Sequence, residues 1–164
     1  ITSSIGNISK KPLVGFGVVG TKTFTRSLTA ATATSAVHPI VVMLLDMTIT
    51  MPNGDVYTRV GTRTRELIEG FSTTQIFADN IYKITGNWTT THPNGTVQTA
   101  TITTPLRARM SCLAPQNPKP VLVLGVITFV KNGVTATLDY GNGDCDNTAV
   151  FTINGNSYTI TIGN

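Results

Sequence analysis

Along the last forty residues, Gly125 to Asn164, apolar and polar positions alternate through four short runs, and two Asn-Gly pairs, Asn132-Gly133 and Asn154-Gly155, interrupt them. Asn-Gly between alternating runs is a strong hairpin signal, because a two-residue loop of the favoured type needs positive φ at both central positions. The segment therefore predicts four strands paired as two hairpins. Between the hairpins lies an acidic, glycine-rich connection, Asp139 to Asn147.

The same period of two runs through most of the chain upstream. Ile1 to Pro12 is polar and reads as an arm. In Leu13 to Val19, Val14, Phe16 and Val18 share one strand face, while Gly15 and Gly17 leave the other nearly bare. Such a strand could slot into a neighbouring surface, which makes Val14, Phe16 and Val18 a candidate exchange strand. Alternation continues through Thr21 to Arg26, and Leu28 to Ser35 is an Ala/Thr-rich connection. His38-Pro39 sets an extended entry to Ile40 to Leu45, and Met47 to Met51 continues the strand. A helix competes over Val41 to Met47, but short length, β-branched content and the preceding proline favour strand.

Pro52-Asn53-Gly54-Asp55 is a turn, and Val56 to Arg65 is the return strand. Glu66 to Asp79 is the least regular stretch, with room for a bulge or one helical turn. Ile81 to Thr91, the turn Pro93-Asn94-Gly95, and Thr96 to Thr104 form a further hairpin. Tyr82, Ile84 and Trp88 share a face there, with Ala100 and Ile102 placed to meet them. Pro105 is expected to close that strand, and Ala114 to Pro120 forms a stiff loop. Hairpins in succession imply an all-β fold of antiparallel neighbours: a hairpin meander, either in one long twisted sheet or folded into a β-sandwich. Residues 1–20 are expected to form an N-terminal arm carrying the candidate exchange strand, and 21–164 a single antiparallel β domain.

Composition narrows the setting. Of 164 residues, 40% are hydrophobic, enough for one core, and only 12% are charged, with Thr, Gly and Asn in their place. That profile suits a secreted β-protein, extracellular or on a cell surface. The net charge of +4 comes from few acids and not from dense basic runs, which argues against a nucleic-acid partner. Cys112 and Cys145 are expected to form one disulfide, with two buried free thiols as the alternative. No Cys-x-x-Cys or histidine cluster points to zinc. No apolar run is long enough for a transmembrane helix. An opening at Ile1 fits a mature form from which an export signal has been removed.

Candidate chemistry is sparse. Arg59, Arg63 and Arg65 share one strand face with Tyr57, and Arg107 and Arg109 repeat the spacing, giving a candidate basic stripe. It reads either as a surface for acidic polysaccharide, lipid headgroups or nucleic acid, or as a solvated outer face that keeps a threonine-rich sheet soluble and blocks edge pairing. Glu66 and Glu69 form a close glutamate pair, but glycosidase carboxylates are not diagnosed by spacing. Asp139, Asn142, Asp144 and Asp146 offer oxygens reminiscent of a calcium loop, although no bidentate glutamate follows. The competing reading is a tight turn with Gly141 and Gly143 at positive φ. Trp88 is either a core anchor or a sugar platform. No nucleophile elbow or phosphate-binding loop is present, and His38 and His92 lack ligand spacing. Three Asn-x-Ser/Thr triplets begin at Asn7, Asn87 and Asn94.

The strings TRTRELIEGF, IYKITGNWTTTHPNGTVQTATITTPL and above all LDYGNGDCDNTAVFTINGNSYTITI resemble a C-terminal region of uncharacterised bacterial envelope, lipoprotein-like and secreted proteins. There an Asp-Tyr-Gly-x-Gly-x-Cys-Asp-Asn element sits between two hairpins. The resemblance spans about Gly20 to the C-terminus and implies an exported all-β protein without assigned enzymatic activity. The expected function is a non-enzymatic structural protein of the cell exterior, self-associating through β-strand edges as a filament or pilus-like subunit. The alternative is an adhesion module for glycans or other envelope components. No cofactor is expected.

Overall fold

The computed structural model describes residues 2–5, 17–33, 35–73 and 75–163. Ten strands follow one another: β1 (Thr2–Ile5), β2 (Gly17–Leu28), β3 (Pro39–Thr50), β4 (Val56–Glu69), β5 (Ile81–Thr91), β6 (Val97–Arg109), β7 (Leu122–Lys131), β8 (Val134–Asn142), β9 (Thr148–Ile153) and β10 (Asn156–Thr161). All lie in one sheet in chain order, each antiparallel to the next. The sheet does not close, so β1 and β10 stand at its two edges. The structure thus selects the single-sheet meander over the sandwich.

The four Asn-Gly pairs make two kinds of turn. Asn132 and Asn154 have φ of 51° and 50°, and their glycines 75° and 76°, so both are two-residue loops with two left-handed positions. At Asn53-Gly54 and Asn94-Gly95 only the glycine is left-handed. There a proline precedes the asparagine and fixes an ordinary negative φ, which forces the longer turn closed by Met51–Asp55 and His92–Thr96 backbone pairs.

Burial explains how one sheet makes a core. Along β6 the buried residues Ala100, Ile102, Leu106 and Ala108 all point to one face. Ile84, Trp88, Leu122, Phe129 and Tyr140 pack around them from β5, β7 and β8. A flat sheet exposes both faces, so this packing requires the sheet to curl over its own inner face. Register breaks supply the bend, at Leu67/Glu69 in β4, Ile84/Asn87 in β5, twice between Ile102 and Arg107 in β6, and at Leu124/Val126 in β7. One of these, between Thr104 and Arg107, spans Pro105, which does not end its strand as expected. β6 runs through it to Arg109, because a bulge tolerates a residue without an N–H.

The outer face is a threonine field. Thr62, Thr101, Thr128, Thr137 and Thr152 fall in one cross-strand row with Asn87 and Ser157. Hydroxyls pair within it, Thr152 with Ser157 at 2.8 Å and Thr103 with Thr128 at 2.9 Å. A short 3₁₀ turn, Met110–Leu113, starts the loop to β7. The Cys112–Cys145 disulfide, Cα atoms 5.3 Å apart, ties that turn to the β8–β9 connection. Closing a loop of this length stabilises the fold by about 3–4 kcal/mol.

Sequence positions 1–20 do not separate as an arm at Gly20, because β2 begins at Gly17 and pairs with β3 along its whole length. Val14 and Phe16 lie outside the described residues. Val18 pairs with Ile49 of β3 in its own sheet.

Candidate functional site

The turn Met51–Asp55 fixes the β3–β4 register, and that register assembles the candidate site. It places Val41, Met43, Leu45 and Met47 opposite Arg65, Arg63, Gly61 and Arg59. Continuing outward, Arg26, Phe24 and Lys22 of β2 face Val41, Met43 and Leu45. On the other side Arg65, Arg63 and Gly61 face Ile84, Gly86 and Trp88 of β5. All these positions share the inner face with the core. The three arginines of β4 therefore lie on the inner face, where Arg63 and Arg65 are exposed to solvent and Arg59 is partly buried. They rise among methionines and aromatics.

Two adjoining clefts occupy this face. One, of about 240 Å³, lies over Met43, Leu45, Met47 and Trp88 with Lys22, Arg59 and Arg63. The other, of about 560 Å³, runs over Phe24, Val41, Met43 and Ile84 with Arg26, Arg63 and Arg65, and its remaining wall is Ala108, Met110, Leu113, Val121 and Leu122. Met43 and Arg63 line both, so the clefts form one groove. Trp88 can sit on β5 because its partner is Gly61, where any Cβ would come within 2.5 Å of the Trp88 Cβ. Gly86, at φ 142°, likewise lets its strand press against Thr62, whose carbonyl a side chain would meet at 2.2 Å.

The guanidinium groups are held by rings and a hydroxyl. The Arg65 guanidinium carbon lies 3.6 Å from the centre of the Tyr82 ring, and that of Arg63 lies 5.4 Å from the Trp88 ring. Arg59 donates through Nε to Thr90 Oγ1 at 3.0 Å. Burial pushes the Tyr140 phenol up from its ordinary value, and the Arg63 charge partly offsets that shift. No Asp or Glu side chain lines either cleft, although the chain has eight.

Arg107 and Arg109 do not extend this stripe. They pair with Lys83 and Ile81, neighbours of Tyr82 on the opposite face, and Arg109 donates through Nη1 to the Gly143 carbonyl at 2.9 Å. Residue parity is kept within a strand but not across turns and bulges, so equal spacing on two strands did not mean a shared face.

On the outer side, His38 and Glu66 form a polar clamp. His38 Nδ1 lies 2.7 Å from the Ala36 carbonyl and Nε2 lies 2.7 Å from Glu66 Oε1, while Lys83 binds Glu66 Oε2. Phe71 stacks on the imidazole with centroids 5.5 Å apart. The hydrogen bond to Glu66 raises the His38 pKa above its ordinary value, helped by the Ala36 carbonyl. Lys83 first, then His38, lowers that of Glu66. Ser35 Oγ lies 3.2 Å from His38 Nδ1, giving a Ser, His and Glu in sequence of contact. Each ring nitrogen lies 2.7 Å from an oxygen, Nδ1 from the Ala36 carbonyl and Nε2 from Glu66, so the imidazole bridges the β2–β3 connection and β4. Glu69 takes no part in it; its strand partner is Ile81.

In the Asp139 to Asn147 connection three of the four candidate ligand residues turn one side-chain oxygen onto the backbone. Asp139, Asn142 and Asp146 each accept from the amide two residues on, at 2.9, 3.2 and 2.9 Å. Gly141 and Gly143 adopt φ of 92° and 110°. Among the described residues no group of three or more His, Cys, Asp or Glu is placed to hold a metal ion. No described helix is long and apolar enough to cross a membrane.

Sequence reading missed the methionine wall because β3 is apolar on both faces, Ile40, Val42 and Leu44 included. The signal was present in the turn, since pairing Thr50 with Val56 sets Met43 opposite Arg63. No family model, no curated protein and no solved structure matches this chain.

Proposed function

We propose that the protein is a non-enzymatic structural component of the cell exterior whose sheet extends from molecule to molecule by strand addition at its edges. The observation that carries this reading is the C-terminal edge. β10, Asn-Ser-Tyr-Thr-Ile-Thr, is exposed along its whole length, has no charge and no proline, and closes a ten-strand ladder with no further strand beside it among the described residues. Soluble proteins ordinarily blunt such an edge with lysine, proline or a bulge. At the other edge β1 pairs only with Lys22 to Thr25, leaving Gly17 to Thr21 and Arg26 to Leu28 of β2 with no further strand among the described residues. A contact from β10 of one molecule to β2 of the next is heterologous and open-ended, the geometry that yields filaments. The disulfide and the low charge content support an oxidising, exterior setting.

The alternative, a glycan-binding module, has less support from the basic face, because Arg63 and Arg65 already cover the Trp88 and Tyr82 rings that a sugar would stack on.

The test follows from the hairpin geometry. Asn156 pairs with Ile153 beside a two-residue turn, so Asn156, Tyr158 and Ile160 bond inward to β9, and Ser157, Thr159 and Thr161 point their amides outward. Thr159→Pro removes an outward donor and spares the hairpin. Negatively stained wild-type protein is expected to show filaments, and T159P and Thr159→Lys to remain monomeric by light scattering. A wild-type monomer under all conditions, or variants that polymerise like wild type, would overturn the reading.

A further inference from the structure

The groove on the inner face is a second feature, independent of edge pairing. Its walls are apolar: Phe24, Val41, Met43, Leu45 and Met47. Its cations, Lys22, Arg26, Arg59, Arg63 and Arg65, have no carboxylate among the side chains lining it. Elsewhere the described ion pairs involve Glu66 with His38 and Lys83. Five like charges over methionines raise the local potential for anions, and an apolar floor rewards a ligand that also brings hydrocarbon.

Charge and shape narrow the occupant. A second copy docked face to face would set these cations against their own images. A nucleic acid or a sugar stacks on ring faces, and the guanidinium groups of Arg63 and Arg65 cover Trp88 and Tyr82. Methionine adapts to flexible chains, and the larger cleft of about 560 Å³ falls within the range of small-ligand sites. We propose that this groove binds a long-chain fatty acid, its alkyl chain along Val41, Met43, Leu45 and Met47 and its carboxylate received by Arg63 with Arg65. Arg63 lines both clefts and so stands where head and chain meet.

Trp88 is the single tryptophan and lines the smaller cleft, so it reports occupancy directly. The experiment titrates full-length monodisperse protein with oleate below its micelle concentration, following tryptophan emission and calorimetry, beside oleyl alcohol and acetate. Saturable one-to-one oleate binding is expected, with oleyl alcohol weaker and acetate without effect. Arg63→Gln with Arg65→Gln, both at exposed positions, is expected to weaken oleate about tenfold or more and oleyl alcohol by less than about twofold. Met43→Glu, which adds a repelling charge to the wall, is expected to remove oleate binding with the circular dichroism of the fold unchanged. Unchanged oleate affinity in R63Q/R65Q, saturation by acetate alone, or binding confined to anionic phosphatidylglycerol vesicles without uptake of oleate monomer would each overturn the proposal.

Discussion

The two halves of this sheet share one inner face and use it differently. From β5 to β9 the face is filled with Ala100, Ile102, Leu106, Ile127, Ala136 and Ala149, all buried, and the disulfide closes its rim. From β2 to β4 the same face carries Val41, Met43, Leu45 and Met47 only partly buried, with Arg63 and Arg65 exposed among them. Curvature makes the difference. The register breaks concentrate from β4 onward, whereas β2, β3 and β4 pair without a break from Gly17 to Glu66. A sheet that bends can close on its own side chains. A straighter one leaves a groove that something else can fill.

That contrast can be broken at several points. Leu106→Ala in the closed half should cost about 2–5 kcal/mol of unfolding free energy, and Leu45→Ala in the open half about 1 kcal/mol. Urea denaturation of both variants decides whether the halves differ. Replacing Cys112 and Cys145 by alanine should cost about 3–4 kcal/mol by the same assay, since the staple lies wholly in the closed half. Gly61→Ala stands at the junction and should cost about 1–3 kcal/mol, because the new methyl meets Trp88 and the Asn87 carbonyl at under 2.7 Å.

The His38 clamp should give a smaller, pH-dependent effect. His38 is raised above 6.5, so its contribution is full below that pH and is lost as pH rises through the raised value. Glu66 is lowered from 4.5, so its contribution is full above that pH and is lost as pH falls through the lowered value. The clamp is complete between the two ordinary values, and wild-type thermal stability should peak there relative to His38→Gln, whose profile should be flatter. The least effect on stability belongs to R63Q/R65Q, under about 1 kcal/mol, since both charges are exposed.

Much of this architecture was legible in the chain. Period-two alternation and the Asn-Gly turns gave the strands from β3 to β10 and the pairing within each hairpin, because local turn geometry dictates that pairing, while one sheet against a sandwich stayed open. Asp139 to Asn147 had two readings, and three of its side-chain oxygens serve backbone amides. What remained hidden depended on bending. Nothing local at Pro105 says whether a strand ends or bulges, and that choice sets the curl. The face of Arg107 and Arg109 was hidden for the same reason, as bulges reset parity between β4 and β6. His38 and Glu66 are 28 residues apart, and their meeting follows only from the β3–β4 register beside an irregular connection.

Hydrogen exchange of native full-length protein, read strand by strand with and without oleate, tests the unequal halves most directly. Slow exchange is expected in β6 to β8, faster exchange in β2 and β3, and oleate-induced protection concentrated in β2, β3 and β4 and at the Ile84 to Trp88 stretch of β5 that lines the same groove. Equal protection of both halves in the free protein, or an oleate effect centred on β8 and β9 with none in β2 to β4, would contradict the unequal halves.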